Sequence, residues 1–226
     1  MFNYNKNKKP RKLHAELPPG VRIQKLFEEY IEPFLAKYDF RYVKSEFTFK
    51  RKVGDFSQEI WISKSKYNRG DEVCGFWINI SVRVLNYIKW HNLRYGKSPR
   101  TDIVMNFYHH NLKEWKTKFG HYRYNLAKQD NIQVFEEIPD NLFKIAFPLL
   151  DEYSNYENAA DLLLQRRQFF SLSKIIDFYI MENKMEKARN AVIFIDSCFK
   201  NDKDSSPQLI SELKDRKNIL SPLSDS

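Results

Sequence analysis

The sequence predicts an α+β protein: an antiparallel sheet with a leading helix, followed by a helical C-terminal region. Three observations carry this. An apolar stripe at helical spacing precedes the first strand pattern, several segments between residues 41 and 84 alternate with a period of two, and none of the six glycines lies beyond Gly120. A glycine-free second half reads as helices joined by Asn, Asp, Ser and Pro turns.

The leading helix lies in "LPPGVRIQKLFEEYIEPFLAKYDF". Ile23, Leu26, Phe27, Tyr30, Ile31, Phe34 and Leu35 form one face. Pro33 removes a backbone donor inside this pattern, which predicts a kink or a break into two helices. "FRYVK" and "FTFKRK" follow as strands around Ser45 and Glu46, and "GDFS" is a turn. "QEIWISK" and "GFWINISVRV" are the next pair. In the second, Phe76, Ile78, Ile80, Val82 and Val84 point one way and Trp77, Asn79, Ser81 and Arg83 the other. A hairpin centred near Arg69 sets Ile62 against Phe76 and Trp61 against Trp77. A slip of one residue would set isoleucines on the polar face, whereas a slip of two keeps the faces intact.

Residues 85 to 135 give no single pattern. "YIKWHNLRY" and "DIVMNFYHHNLKEWKTKF" fit helix or strand, and "YRYNL" and "IQVFEE" read as extended. Asp140 is the expected N-cap of the next helix, which Pro148 bends or ends. "NYENAADLLLQRR", "LSKIIDFYIMEN" and "KMEKARNAVIFIDSCFK" read as amphipathic helices, with Ser171 or Ser173 as a cap. The last two resemble one tetratricopeptide-like hairpin through the small residues Ala188 and Ala191. "NDKDSSPQ" is a linker and "LISELKDRKNIL" a last helix. The organisation expected is a basic flexible tail over 1–16, a sheet domain over 17–135, a helical region over 136–220 packed on or beside the sheet, and a frayed end over 221–226.

Composition narrows the function. The chain has 226 residues, 42% hydrophobic and 15% aromatic, enough for a packed core. No run of about 18 apolar residues predicts a membrane span, and the N-terminus lacks the apolar run of a signal peptide. Cys74 and Cys198 are far apart and fit no disulfide or zinc pattern, so a reduced, cytoplasmic setting is expected. The net charge of +9 is concentrated at the start, where Lys6, Lys8, Lys9, Arg11 and Lys12 precede the first acid, Glu16.

Chemistry that leaves a local signature does not appear. There is no glycine-rich phosphate motif, no H-E-x-x-H, no C-x-x-C and no G-x-S-x-G. "WISKSKYNRG" sits between two strand patterns, so Lys64, Lys66 and Arg69 form a candidate loop of a hairpin rather than a phosphate cradle. Asn68 and Gly70 are expected to take its left-handed positions. No cofactor, metal site or catalytic group is expected. The candidate binding face is the polar side of the sheet, with Lys50, Lys52, Trp61, Trp77 and Arg83. The C-terminal helices are expected to cover Trp61 and Trp77. Left uncovered, such a face would stack bases and track a nucleic-acid backbone.

The front half also resembles an uncharacterised bacterial family of unknown function. The resemblance rests on Phe40, Phe49, Arg51, Gln58, Ser63 and Ser65, with Asp39 where that family usually has glycine. It covers residues 20 to 85, with a helical echo over 140 to 196. Relatives of that family are grouped with toxin-immunity proteins, which implies a non-enzymatic protein-binding role, as an immunity or accessory protein. A protein partner is therefore expected, with nucleic acid as the alternative. Inhibitors of nucleases present acidic surfaces, so on this basic chain an immunity role calls for another target or a local acidic patch.

Overall fold

A computed structural model describes residues 9–70, 72–117, 122–200 and 206–220. The chain divides into two compact units, Met1–Asp151 and Glu152–Ser226. The first is α+β and the second is helical among the described residues, in keeping with the fold class read from the sequence.

The sheet unit opens with α1 (Pro19–Leu26), a π-helical turn (Phe27–Ile31) and α2 (Glu32–Ala36). Pro33 does not break the helix. The residue before it, Glu32, bonds its N–H five residues back, to the Phe27 carbonyl. This widened turn absorbs the donor that proline lacks.

The strands are β1 (Arg41–Val43), β2 (Thr48–Val53), β3 (Phe56–Lys64), β4 (Gly75–Val84), β5 (Ile103–Tyr108) and β6 (Tyr124–Asn125). They run antiparallel in the order β1-β2-β3-β4-β5, with β6 joined to the start of β4. The β3–β4 register is the two-residue slip. Ile62 pairs with Ile78, Trp61 with Asn79, and Ser63 with Trp77. The loop chemistry explains this. Asn68 does not take positive φ; its side chain instead clamps Gly75, accepting from its N–H at 2.6 Å and donating to its carbonyl at 3.0 Å. Gly70 does take the left-handed conformation, at φ 43°. Of the ambiguous segments, "YIKWHNLRY" is helix α3 (Tyr87–Tyr95) and "IVMNFY" is strand β5.

"IQVFEE" is helical, not extended. It lies in α4 (Asn131–Asn141), and Asp130, not Asp140, is the cap, accepting from Gln133 N–H at 3.2 Å. Pro139 is inside this helix. A second π-helical turn (Leu142–Ala146) leads into α5 (Phe147–Glu152). Again the residue before the proline, Phe147, bonds five back, to Leu142. Pro148 therefore continues the helical run.

These helices belong with the sheet, which is why the unit boundary lies after Asp151 and not after 135. Phe27 meets Phe47, Phe76 and Phe135 edge-on, with centroids 5.2 to 5.6 Å apart. Phe147 stacks on Phe40 at 5.5 Å. The five apolar-face residues of β4 are fully buried, and such packing supplies most of the driving force.

The described part of the expected flexible tail is docked. Arg11 grips Asp130 through Nε and Nη2, each at 3.0 Å. Leu13 N–H donates to Asn131, and the Leu13 carbonyl accepts from buried Arg22 at 2.7 Å. Residues 1–8, with Lys6 and Lys8, and residues 221–226 lie outside the described residues.

The helical unit comprises α6 (Tyr156–Gln165), α7 (Leu172–Met181), α8 (Met185–Lys200) and α9 (Pro207–Leu220). Ser171 stands at the N-cap of α7 without a capping bond, and Ser173 donates to Glu212 instead. α7 and α8 form a helical hairpin turned at Asn183, with Ala188 and Ala191 buried. Asp177 and Arg216 make a two-bond ion pair that is 0% exposed on both sides.

Candidate binding face of the sheet

The polar face is built by alternation. β2 contributes Thr48, Lys50 and Lys52, β3 contributes Ser57, Glu59, Trp61 and Ser63, and β4 contributes Trp77, Asn79, Ser81 and Arg83. β5 adds Asn106 and Tyr108, opposite Ser81 and Asn79. The face splits into two parts around Asn79, which is fully buried and donates to Ser63 Oγ at 2.9 Å.

One part is a trough of about 250 Å³ lined by Glu46, Thr48, Glu59, Trp61, Arg83 and Asn106, among others. Its cations are committed to carboxylates. Lys50 Nζ lies 2.6 Å from Glu46 and 3.8 Å from Glu59. Arg83 donates to Asp102 from Nε at 3.2 Å and Nη2 at 2.9 Å, and this hydrogen bonding raises its already high pKa further. Trp61 is half-buried, with Thr48 and Asn79 opposite it on the flanking strands.

The other part is aromatic. Trp77 meets Tyr122 edge-on at 5.9 Å, Tyr122 lies 4.3 Å from His110, and His110 stacks on Tyr108 at 5.4 Å. Trp77 is half-buried, while Tyr122 is 67% exposed. The Trp77 indole nitrogen is shielded and has no hydrogen-bond partner among the described residues. Behind this cluster His109 is fully buried, with Nδ1 3.2 Å from the Ile78 N–H. Burial pushes its pKa down to about 4, so the ring is neutral near pH 7.

The expected site residues therefore separate. Trp61 and Arg83 line the trough, Lys50 pairs with its Glu46 and Glu59, and Trp77 lies in the aromatic part. Lys52 is exposed on β2. The candidate loop is not one cationic cluster. Lys64 crosses to the apolar side and sits over the Phe47 ring at 4.7 Å, Lys66 lies over Tyr67, and Arg69 pairs with Glu72. Tyr108, His110, Tyr122 and Asn106 were not singled out from sequence, because they come from the segment without a readable pattern.

The residues behind the family resemblance have structural roles. The Arg51 guanidinium lies 4.8 Å from the Phe40 ring centroid, and its Nε donates to Gln58 at 2.7 Å. Gln58 in turn donates to the Leu150 carbonyl at 2.8 Å. Asp39 has φ 64°, the left-handed region that glycine enters without cost.

Elsewhere in the sheet unit, a cleft of about 740 Å³ carries Glu114, Glu136, Glu137 and Asp140 against Lys116 and Lys144. Among the described residues, no three metal-ligating side chains converge, and no helix is long and apolar enough to cross a membrane. No protein-family model, curated protein or solved structure matches the chain.

Proposed function

We propose that this protein is a non-enzymatic protein-binding module, of the bacterial immunity or accessory kind, acting in the cytoplasm through the polar face of its sheet. The observation that carries the reading is the pairing of Lys50 and Arg83 with Glu46, Glu59 and Asp102. With Lys50 and Arg83 neutralised at its centre, the face gains less from phosphate, because affinity for nucleic acid comes from released counterions. What it offers instead is tryptophan, tyrosine and arginine around a polar trough, the residue types that anchor protein contacts. The left-handed backbone at Asp39 supports the resemblance that implies this role, and the acidic cleft supplies the local acidic patch an immunity protein would use.

Co-purification from the native host tests the proposal. The chain and its Trp61→Ala and Tyr122→Ala variants are each purified, and the bound material is assayed for protein and nucleic acid. The expected result is a stoichiometric protein partner that at least one variant loses. Nucleic acid as the retained material, with no protein lost in either variant, would overturn it.

A second reading, nucleic-acid binding, draws on Lys52, Lys64 and Lys66, which make no ion pair among the described residues. It requires affinity that falls steeply with salt and weakens in Trp77→Ala.

A further inference from the structure

The trough of the polar face has a floor whose polar groups are only partly used. Lys50, Glu59, Ser81 and Asn106 stand side by side in one row across β2 to β5. Glu59 is 9% exposed and Ser81 is 3% exposed. Glu59 accepts from Ser57 Oγ at 3.2 Å, and Lys50 Nζ, at 3.8 Å, lies beyond hydrogen-bond reach of it. A carboxylate so placed leaves most of its acceptor sites unused. The Ser81 hydroxyl and the Asn106 side-chain amide line the same trough and make no hydrogen bond among the described residues.

Charge says what this floor would take. Three carboxylates, Glu46, Glu59 and Asp102, stand around the trough with two cations, Lys50 and Arg83. Lys50 is held by Glu46 at 2.6 Å and Arg83 by Asp102 at 2.9 Å. Glu59 is the carboxylate left over, so the trough is locally negative on a chain whose net charge is +9. Trp61, two residues along β3 on the same face, adds an aromatic wall. A cation gains from both an indole face and a carboxylate. The volume of about 250 Å³ lies below the ~300–1,000 Å³ of small-molecule pockets and suits one inserted side chain.

We propose that the trough takes an arginine side chain of the partner protein. The inference rests on the protein-binding reading of this face and names the chemistry the face recognises. Arginine fits better than lysine because the acceptors are spread along the row, on strands about 4.8 Å apart. A planar guanidinium carries five N–H donors in a fixed fork, so it reaches Glu59 and Ser81 together while lying against Trp61. An ammonium is a compact point charge that meets Glu59 alone.

Titration of the whole chain with N-acetyl-arginine methylamide, followed by proton–nitrogen correlation spectra, tests the inference. The expected result is saturable shifts at the Trp61 indole N–H and at the Glu59 and Ser81 amides, with Kd on the order of millimolar. The lysine analogue should bind about fivefold more weakly and the uncharged citrulline analogue about tenfold or more. Glu59→Gln keeps the shape of the side chain and should weaken binding about tenfold or more, the loss of one charge-assisted bond. Lys50→Met removes a competing cation and should instead tighten binding about twofold to fivefold, a gain that misfolding cannot imitate. No saturable shift in the unaltered chain would overturn the proposal, as would binding undiminished in Glu59→Gln or equal affinity for the citrulline analogue. Free arginine bound more tightly than the capped residue would assign the trough to a small molecule and also overturn it. The titration contains no partner, so its failure removes the arginine and leaves the protein-binding reading to the co-purification.

Discussion

The two faces of the sheet carry opposite exceptions. On the apolar face the exceptions are polar, and they are paired: Gln58 is fully buried with both ends of its amide bonded, to Arg51 and to the Leu150 carbonyl. On the polar face the exceptions are aromatic, and they are only partly used. Trp61 and Trp77 are half-buried, and the Trp77 nitrogen has no partner among the described residues. A polar group survives in the core because a lost partner there is costly. A tryptophan on the polar side is not needed by the core, which leaves it available for contact.

Substitutions should expose this asymmetry. The largest effect is expected at Phe76, where three rings from three segments converge within 5.1 to 6.5 Å. Phe76→Ala should cost about 3–5 kcal/mol in denaturant unfolding, and a loss no larger than that of Trp61→Ala would break the comparison. Gln58→Ala should come next, at about 1–3 kcal/mol, because it strands Arg51 Nε and the Leu150 carbonyl. A near-neutral result would mean that the polar pair does not hold α5 to the sheet.

His109 sharpens the contrast through pH. Its native pKa is lowered from 6.5 to about 4 by burial. The unfolded chain therefore takes up this proton first as pH falls. Stability from this group is fully present above about pH 6.5 and declines toward pH 4. Thermal melts across that window should show the decline, and His109→Phe should flatten it. The smallest effect is a gain. Asp39 sets the left-handed turn that delivers Phe40 to the apolar face, and Asp39→Gly should stabilise by about 0.5 kcal/mol by relieving it. A loss would show that the Asp39 side chain has a role of its own.

Much of this was legible in the residues, and what was missed has physical causes. Alternation in β3 and β4 fixed which side chains share a face. It did not fix which residues pair, because a slip of two preserves every face, and the Asn68 side chain settled the register. The helix over 140–152 is read correctly, but its start at Asn131 is missed because Pro139 looks like a boundary, and Pro148 looks like a stop, whereas the π-helical turn at 142–146 lets the run pass it. On the binding face, Lys50, Trp61 and Arg83 could be named from β-strand periodicity. Their neutralising partners could not, since Glu46 and Asp102 come from turns, and Tyr108 and Tyr122 come from a stretch with no single period.

The central claim is that Lys50 and Arg83, the central cations of the polar face, are used internally. Titration of the whole chain with a single-stranded oligonucleotide across a salt series tests it most directly. The account predicts weak binding with a shallow salt dependence that Trp61→Ala and Trp77→Ala leave unchanged. Tight binding whose log affinity falls steeply with log salt, and which Trp77→Ala abolishes, would contradict it.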